Sequence, residues 1–258
     1  MRGGGARKVG PIHRRAFDLP VSRRAYDGGV SIRPLVLIAW AAALAGFVML
    51  SVLAAFNDTF PGDLWLAHRM QDIDFTGFGR ALDSAAGSSD LPEVIPICGV
   101  AVAALFLARD MAGALILPVT VAARVLITWV LKELIERPRP SAALVHFEDQ
   151  PSTFSFPSGH ATAAFVLYGL IFYFAALHIR DMRLRLALQA ACVAITVLTG
   201  IQRIYVGHHW PSDVLGGYYA GALIVGAVVA VHEFARRCTS SQPRDGSFTR
   251  ATAAIDPK

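Results

Sequence analysis

Leu35–Phe56 reads LVLIAWAAALAGFVMLSVLAAF, 22 residues without a charge. At 1.5 Å per helical residue this stretch is about 33 Å long, enough to cross a hydrocarbon core of about 30 Å. Comparable apolar stretches run over 91–108, 112–131, 161–177, 186–201 and 214–231. The expected fold is therefore all-α, a bundle of six transmembrane helices. Composition agrees: 258 residues with 54% hydrophobic and 17% charged side chains, at a mean hydropathy of +0.48, are too apolar for an ordinary soluble domain. The first span reads as a retained anchor, because its apolar run is too long, and begins too late, for a signal peptide. Three segments follow: a basic tail over 1–33, a six-helix domain over 34–236 and a polar tail over 237–258. Cys98, Cys192 and Cys238 have neither metal-ligand spacing nor the pattern of a disulfide framework.

The 24 Lys and Arg residues are unevenly distributed over the loops. With the N-terminus inside, 17 fall on the cytoplasmic side; Arg69, Arg80, Lys132, Arg137, Arg139 and Arg203 fall outside, and Arg124 lies within the third span. The positive-inside rule then places both termini in the cytoplasm of a multi-pass protein of the cell membrane. The basic N-terminal tail lies near anionic headgroups and calls for no nucleic-acid partner. The first outer loop carries Asp58, Asp63, Asp72, Asp74, Asp83 and Asp90. A short interfacial helix is expected there over 63–71, with Trp65, Leu66, His68 and Met70 in the headgroups.

Four of the six outer cations belong to three stretches at the outer ends of the third, fourth and fifth spans: KELIERPRP (132–140), PSGH (157–160) and RIYVGHHWPSD (203–213). Anchoring explains cations on that side poorly. Lys132, Arg139 and Arg203 suit the equatorial oxygens of a reacting phosphate, Arg through forked donors and Lys as a point charge. Ser158 is a good N-cap after Pro157, and Gly159 lets the first-turn N–H groups approach an anion. His209 and Asp213 are four residues apart. A carboxylate on one ring nitrogen fixes the tautomer and leaves the other nitrogen free to attack phosphorus, giving a phosphohistidine. His160 is the candidate acid for the leaving oxygen. Arg137 is assigned to the rim, where anionic headgroups would meet it, and Arg124 to a structural pairing inside the bundle. His208 is given a headgroup or supporting role. The loop 141–156 brings Phe147, Phe154 and Phe156 beside Glu148 and Asp149, as a cover for the site or as interfacial aromatics. Gly217 and Gly221 read as a close-packing pair.

These residues resemble the type 2 phosphatidic acid phosphatase (PAP2) superfamily, whose pattern is K-x6-RP, PSGH and SR-x5-H-x3-D. Lys132, Arg139 and Pro140 match the first part, Pro157 to His160 the second, and Arg203, His209 and Asp213 the third. The resemblance implies a lipid phosphate substrate handled at the outer membrane face, with His209 as nucleophile. It also implies that Ser158 and Gly159 bind phosphate and that neither a metal nor a cofactor is required. Gln202 departs from the pattern, standing where Ser is usual. Isoprenyl diphosphates, phosphatidic acid and phosphatidylglycerol phosphate are all compatible substrates, and oligomeric state is not legible. A phosphotransferase using the same phosphohistidine is the alternative. A Ser158–His209 protease pair would leave three cations idle, a lipid-binding or transport protein would not need both histidine groups, and a metallohydrolase would place a dication among cations.

Overall fold

A computed structural model describes residues 32–73, 77, 79–147, 149 and 151–240. Within them the regular structure is helical: α1 (Ile32–Phe56), α2 (Asp63–Gln71), α3 (Gly79–Gly87), α4 (Leu91–Leu107), α5 (Met111–Ile135), α6 (Gly159–His178), α7 (Met182–Tyr205) and α8 (Pro211–Ser240). Helices α1, α5, α6, α7 and α8 each contain a run long and apolar enough to cross a membrane. The apolar stretch expected as a span over 91–108 forms α4, and α3 and α4 together, bent by 68° at the break between them, make a sixth candidate crossing. The break has a local cause: Ser88, Ser89 and Asp90 end one helix, and Pro92 in the first turn of α4 cannot donate back into it, so the chain restarts from an extended Asp90.

Helix α6 is the hub. Of its apolar run, 56% is buried inside the protein, against 6% for α1, so α6 is enclosed by protein on most sides while α1 packs along one side. Its closest partners are α7 and α8. The seam with α8 depends on the absence of side chains: a Cβ at Gly217 would sit 2.7 Å from the Ser158 carbonyl oxygen, and one at Gly221 would sit 2.6 Å from Phe165 Cβ. Phe156 is fully buried and stacks on Phe47 at 6.3 Å. It is thus a core residue, removed from the interfacial role, and Phe147 packs against the buried cluster around Trp210. Helix α2 occupies the residues expected of an interfacial helix; Trp65 is exposed, while Asp63 and Ala67 are buried on the opposite side. The expected tails fall almost wholly outside the described residues, although α8 continues to Ser240.

At the end of the bundle opposite the three motif stretches, Asp110 fastens three helices. Its carboxylate accepts from Gly113 N at 2.9 Å, capping α5, and lies 2.9 Å from His178 Nε2 on α6 and 3.1 Å from His232 Nε2 on α8. The other His232 nitrogen meets the Tyr173 hydroxyl at 2.9 Å, which donates to Glu233 at 2.7 Å. Burial opposes the charge on Asp110, but the Gly113 N–H and the two imidazoles outweigh it and hold its pKa below the usual carboxylate value. Replacing Asp110 by Ala removes the cap and both imidazole contacts. We expect a loss of about 2–4 kcal/mol, read as a lower melting temperature in detergent, with the cavity at the far end unaltered; an unchanged melt would show that the fastening contributes nothing to stability.

Candidate active site

The three motif stretches meet at one cavity of about 470 Å³. Each lining residue is placed by an element boundary. Lys132 ends the buried stripe of α5 formed by Leu117, Thr120, Arg124 and Thr128. Glu136 then closes the helix in a left-handed conformation, and the chain turns through Arg139. Gly159 and His160 open α6; Arg203 lies in the last turn of α7; His208 and His209 fill the connection to α8. Lys132, Arg139, Gly159, His160, Arg203 and His209 all line the cavity. Ser158 and Asp213, both fully buried, lie behind the wall. The Ser158 hydroxyl is occupied as the α6 cap, accepting from Ala161 N at 3.5 Å. Its backbone N–H donates to the Asp213 carbonyl at 3.0 Å, tying the starts of α6 and α8.

His209 is 3% exposed and has different neighbours on its two nitrogens. Arg139 Nη1 lies 3.3 Å from Nε2, the nitrogen facing the cavity. On the other side Nδ1 is 3.3 Å from the Ser155 hydroxyl and 3.7 Å from Asp213 Oδ2, beyond hydrogen-bond length. Ser155 therefore stands between His209 and Asp213, with its hydroxyl donating to Asp213 Oδ2. With Arg139 donating to Nε2, the proton belongs on Nδ1 and the Nε2 lone pair faces the cavity. Burial first, then the charges of Arg139 and Lys132, hold the His209 pKa well below the usual imidazole value. His208 is also lowered, by burial and then by Arg203. Burial brings Arg139 down to about 10, so its guanidinium stays charged at neutral pH.

Arg139 is held by the loop, donating to the Thr153 carbonyl at 2.6 Å and the His208 carbonyl at 2.6 Å. Lys132 donates to the Phe154 carbonyl. His160 Nε2 lies 2.6 Å from Asp90 Oδ1 and 3.4 Å from Arg203 Nη1. Asp90 thus joins the site from the α3–α4 break. Gln202 does not reach the cavity: its amide donates to Asp83 on α3 at 3.1 Å, fastening α7 to α3.

Arg137 is not a rim residue. It is 1% exposed, and all three of its nitrogens are engaged: Nη2 with Asp63 at 2.9 Å, Nη1 with Asp213 at 2.6 Å and Ser212 at 2.8 Å, and Nε with the Asp58 carbonyl at 3.2 Å. The Phe60 ring covers the guanidinium at 4.5 Å. The physical reason is charge balance. Asp63 and Asp213 are both buried, and a cation between them is the condition for both to be ionised there. Sequence reading missed Ser155, Asp63, Ser212 and Asp90 as parts of this site. Asp63, the first residue of α2, carried the only signal, an acidic helix start in an otherwise apolar-faced segment.

The PAP2 superfamily model matches residues 113–237. Phosphatidylglycerophosphatase B of Bacillus subtilis (strain 168) is 36% identical over 175 residues, covering 67% of this chain and 78% of that protein. Lipid A 4'-phosphatase of Rhizobium leguminosarum is 32% identical over 120 residues, 42% of this chain and 49% of that one. The crystal structure of a transmembrane PAP2-type phosphatidylglycerolphosphate phosphatase from Bacillus subtilis superposes with a TM-score of 0.67 at 26% identity, covering 76% of this chain and 96% of that chain.

Replacing Arg137 by Met leaves Asp63 and Asp213 buried without a counter-charge. The expected cost is about 3–5 kcal/mol, seen as a lower melting temperature, with Arg137→Lys falling between Met and wild type because one ammonium cannot serve both carboxylates in the forked geometry. Melting of the Met variant at the wild-type temperature would show that the cluster is not held by this cation.

Proposed function

This chain belongs to the PAP2 superfamily, and from that premise we propose that it is an integral-membrane phosphatase that hydrolyses a lipid phosphate or diphosphate through a phosphohistidine, without a metal. The observation that carries this reading is the cavity-facing Nε2 of a buried, neutral His209, ringed by Lys132, Arg139 and Arg203. Isoprenyl diphosphates, phosphatidic acid and phosphatidylglycerol phosphate are the substrate candidates. The charge distribution over the loops supports an outer-face site in a cell membrane with both termini inside.

In the first step His209 Nε2 attacks phosphorus, a P–N bond forms, and the bond to the leaving oxygen breaks. Lys132, Arg139, Arg203 and the free N–H groups at the start of α6 hold the equatorial oxygens as charge redistributes. His160 gives its proton to the leaving oxygen, and Asp90 keeps that imidazole in place. The positive charge arising on His209 is met through Nδ1–H by the Ser155 hydroxyl and, behind it, by Asp213. Water then attacks phosphorus, the P–N bond breaks, and His160 recovers a proton from the water. Four cations around the cavity would oppose a bound dication, which favours metal-free chemistry.

Phosphate release from an isoprenyl diphosphate by detergent-solubilised protein, with EDTA present throughout, tests the reading. Release that survives EDTA and is inhibited by vanadate is expected. His209→Ala should abolish turnover while keeping the wild-type melt, and His160→Ala should cost about 10²–10⁴ in rate. Substantial turnover by His209→Ala would remove the nucleophile assignment, and loss of activity in EDTA would remove the metal-free mechanism.

The depressed pKa of His209 also fixes a direction. Because its neutral form persists well below pH 6.5, the acid limb of kcat/KM that reports this group should lie below that value. Arg139→Gln removes a positive neighbour, which raises the pKa and should move the limb toward neutral pH. A limb that stays in place would show that another group sets it.

A further inference from the structure

The cavity extends beyond the three motif stretches. It is also lined by Ser89 and Asp90 from the α3–α4 break and by Arg124 from α5. Arg124 is eight residues before Lys132 on the same buried stripe, so its backbone lies about 12 Å deeper along the helix. An arginine at that depth is costly unless it faces a polar space or a partner. Arg124 is 9% exposed; its carbonyl accepts from the Thr128 hydroxyl at 2.8 Å, while its guanidinium has no hydrogen bond or ion pair among the described residues. The charge that acts on it is Asp90, which is itself engaged by His160 at 2.6 Å. The Ser89 hydroxyl, 3% exposed, is likewise without a partner among the described residues. The structural pairing expected for Arg124 is thus absent as a contact.

We infer that Arg124, with Ser89, forms a second anion subsite that holds the phosphate remaining on the lipid after cleavage. The inference rests on the phosphatase reading above and deepens it. Displacement at phosphorus is in line, so the leaving group departs on the side away from His209. We place His160, its acid, on that side, with Asp90, Ser89 and Arg124 beyond it in the same cavity, toward the rest of the lipid. Charge points the same way. Among the lining groups, Lys132, Arg139, Arg203 and Arg124 face the single carboxylate of Asp90. A monoester dianion leaves at least one positive charge unmatched, before the proton on His160 is counted, and a further anionic phosphate offsets it. Two headgroup chemistries supply one: a diphosphate, and a phosphomonoester linked through glycerol to a phosphodiester. A lipid whose only phosphate is the scissile one offers Arg124 nothing.

The test compares kcat/KM for an isoprenyl diphosphate, phosphatidylglycerol phosphate and phosphatidic acid in wild type, Arg124→Gln and Arg124→Lys, alongside melting temperatures. Loss of a charge-assisted contact should lower kcat/KM of Arg124→Gln roughly 10–100-fold on at least one two-phosphate lipid, while phosphatidic acid stays within about threefold and so reports an intact fold. Arg124→Lys should recover part of the loss. Which lipid suffers distinguishes a directly bonded second phosphate from one spaced by glycerol. Equal loss on phosphatidic acid, or no loss on any lipid, overturns the inference and leaves the phosphatase reading standing. Failure of the wild type to turn over all three lipids removes both.

Discussion

A buried guanidinium between two buried carboxylates governs how this protein is put together at the end of the bundle that carries the cavity. Arg137 follows the end of α5, Asp63 begins α2, and Asp213 lies in the first turn of α8. None of these charges is stable in that position alone, and a buried network of this kind adds little stability compared with an apolar core. Its effect is register. Once Arg137 is fixed, its carbonyl accepts from Ser155 N at 2.8 Å, which sets the loop before α6. Ser155 and Asp213 then stand together behind His209.

The site is therefore two shells. Cations line the cavity, while the carboxyl groups of Asp213 and Asp63 lie behind it and are bridged by Arg137. The inner shell keeps the His209 imidazole neutral; on the proposed mechanism, the outer shell meets the positive charge that phosphorylation would create on the same ring. Neither shell alone would serve both states of the histidine.

Much of this was legible in the sequence because the signals were local. Charge-free runs specify spans regardless of tertiary context, and K-x6-RP, PSGH and H-x3-D sit at span ends, so one topology brings them together. Arg137 was misplaced because a lone arginine beside a matched one carries no sign of burial; only the convergence of Asp63, Asp213 and Ser212 defines its environment. Ser155 was invisible for a related reason. A hydroxyl between two phenylalanines has no periodicity, and its position between His209 and Asp213 depends on a loop that the Arg137 carbonyl pins. The joining of α3 to α4 was also hidden, since hydropathy measures apolar length and α3 carries too little of it to be seen as part of a span.

The glycine seam between α6 and α8 divides the molecule into a fixed part and an adjustable one. With Gly217 against the Ser158 carbonyl and Gly221 against Phe165, there is no side chain at these points whose replacement can retune the spacing; any larger residue forces backbone apart. The residues of chemistry are mounted on that frame. The opposite wall, made by the α3–α4 break and the lower part of α5, carries ordinary side chains that can be exchanged. Engineering a new lipid preference is therefore a matter of rebuilding one wall of the cavity, with Ser89 and Arg124 as the positions to vary and the seam and the Asp90–His160 contact left untouched.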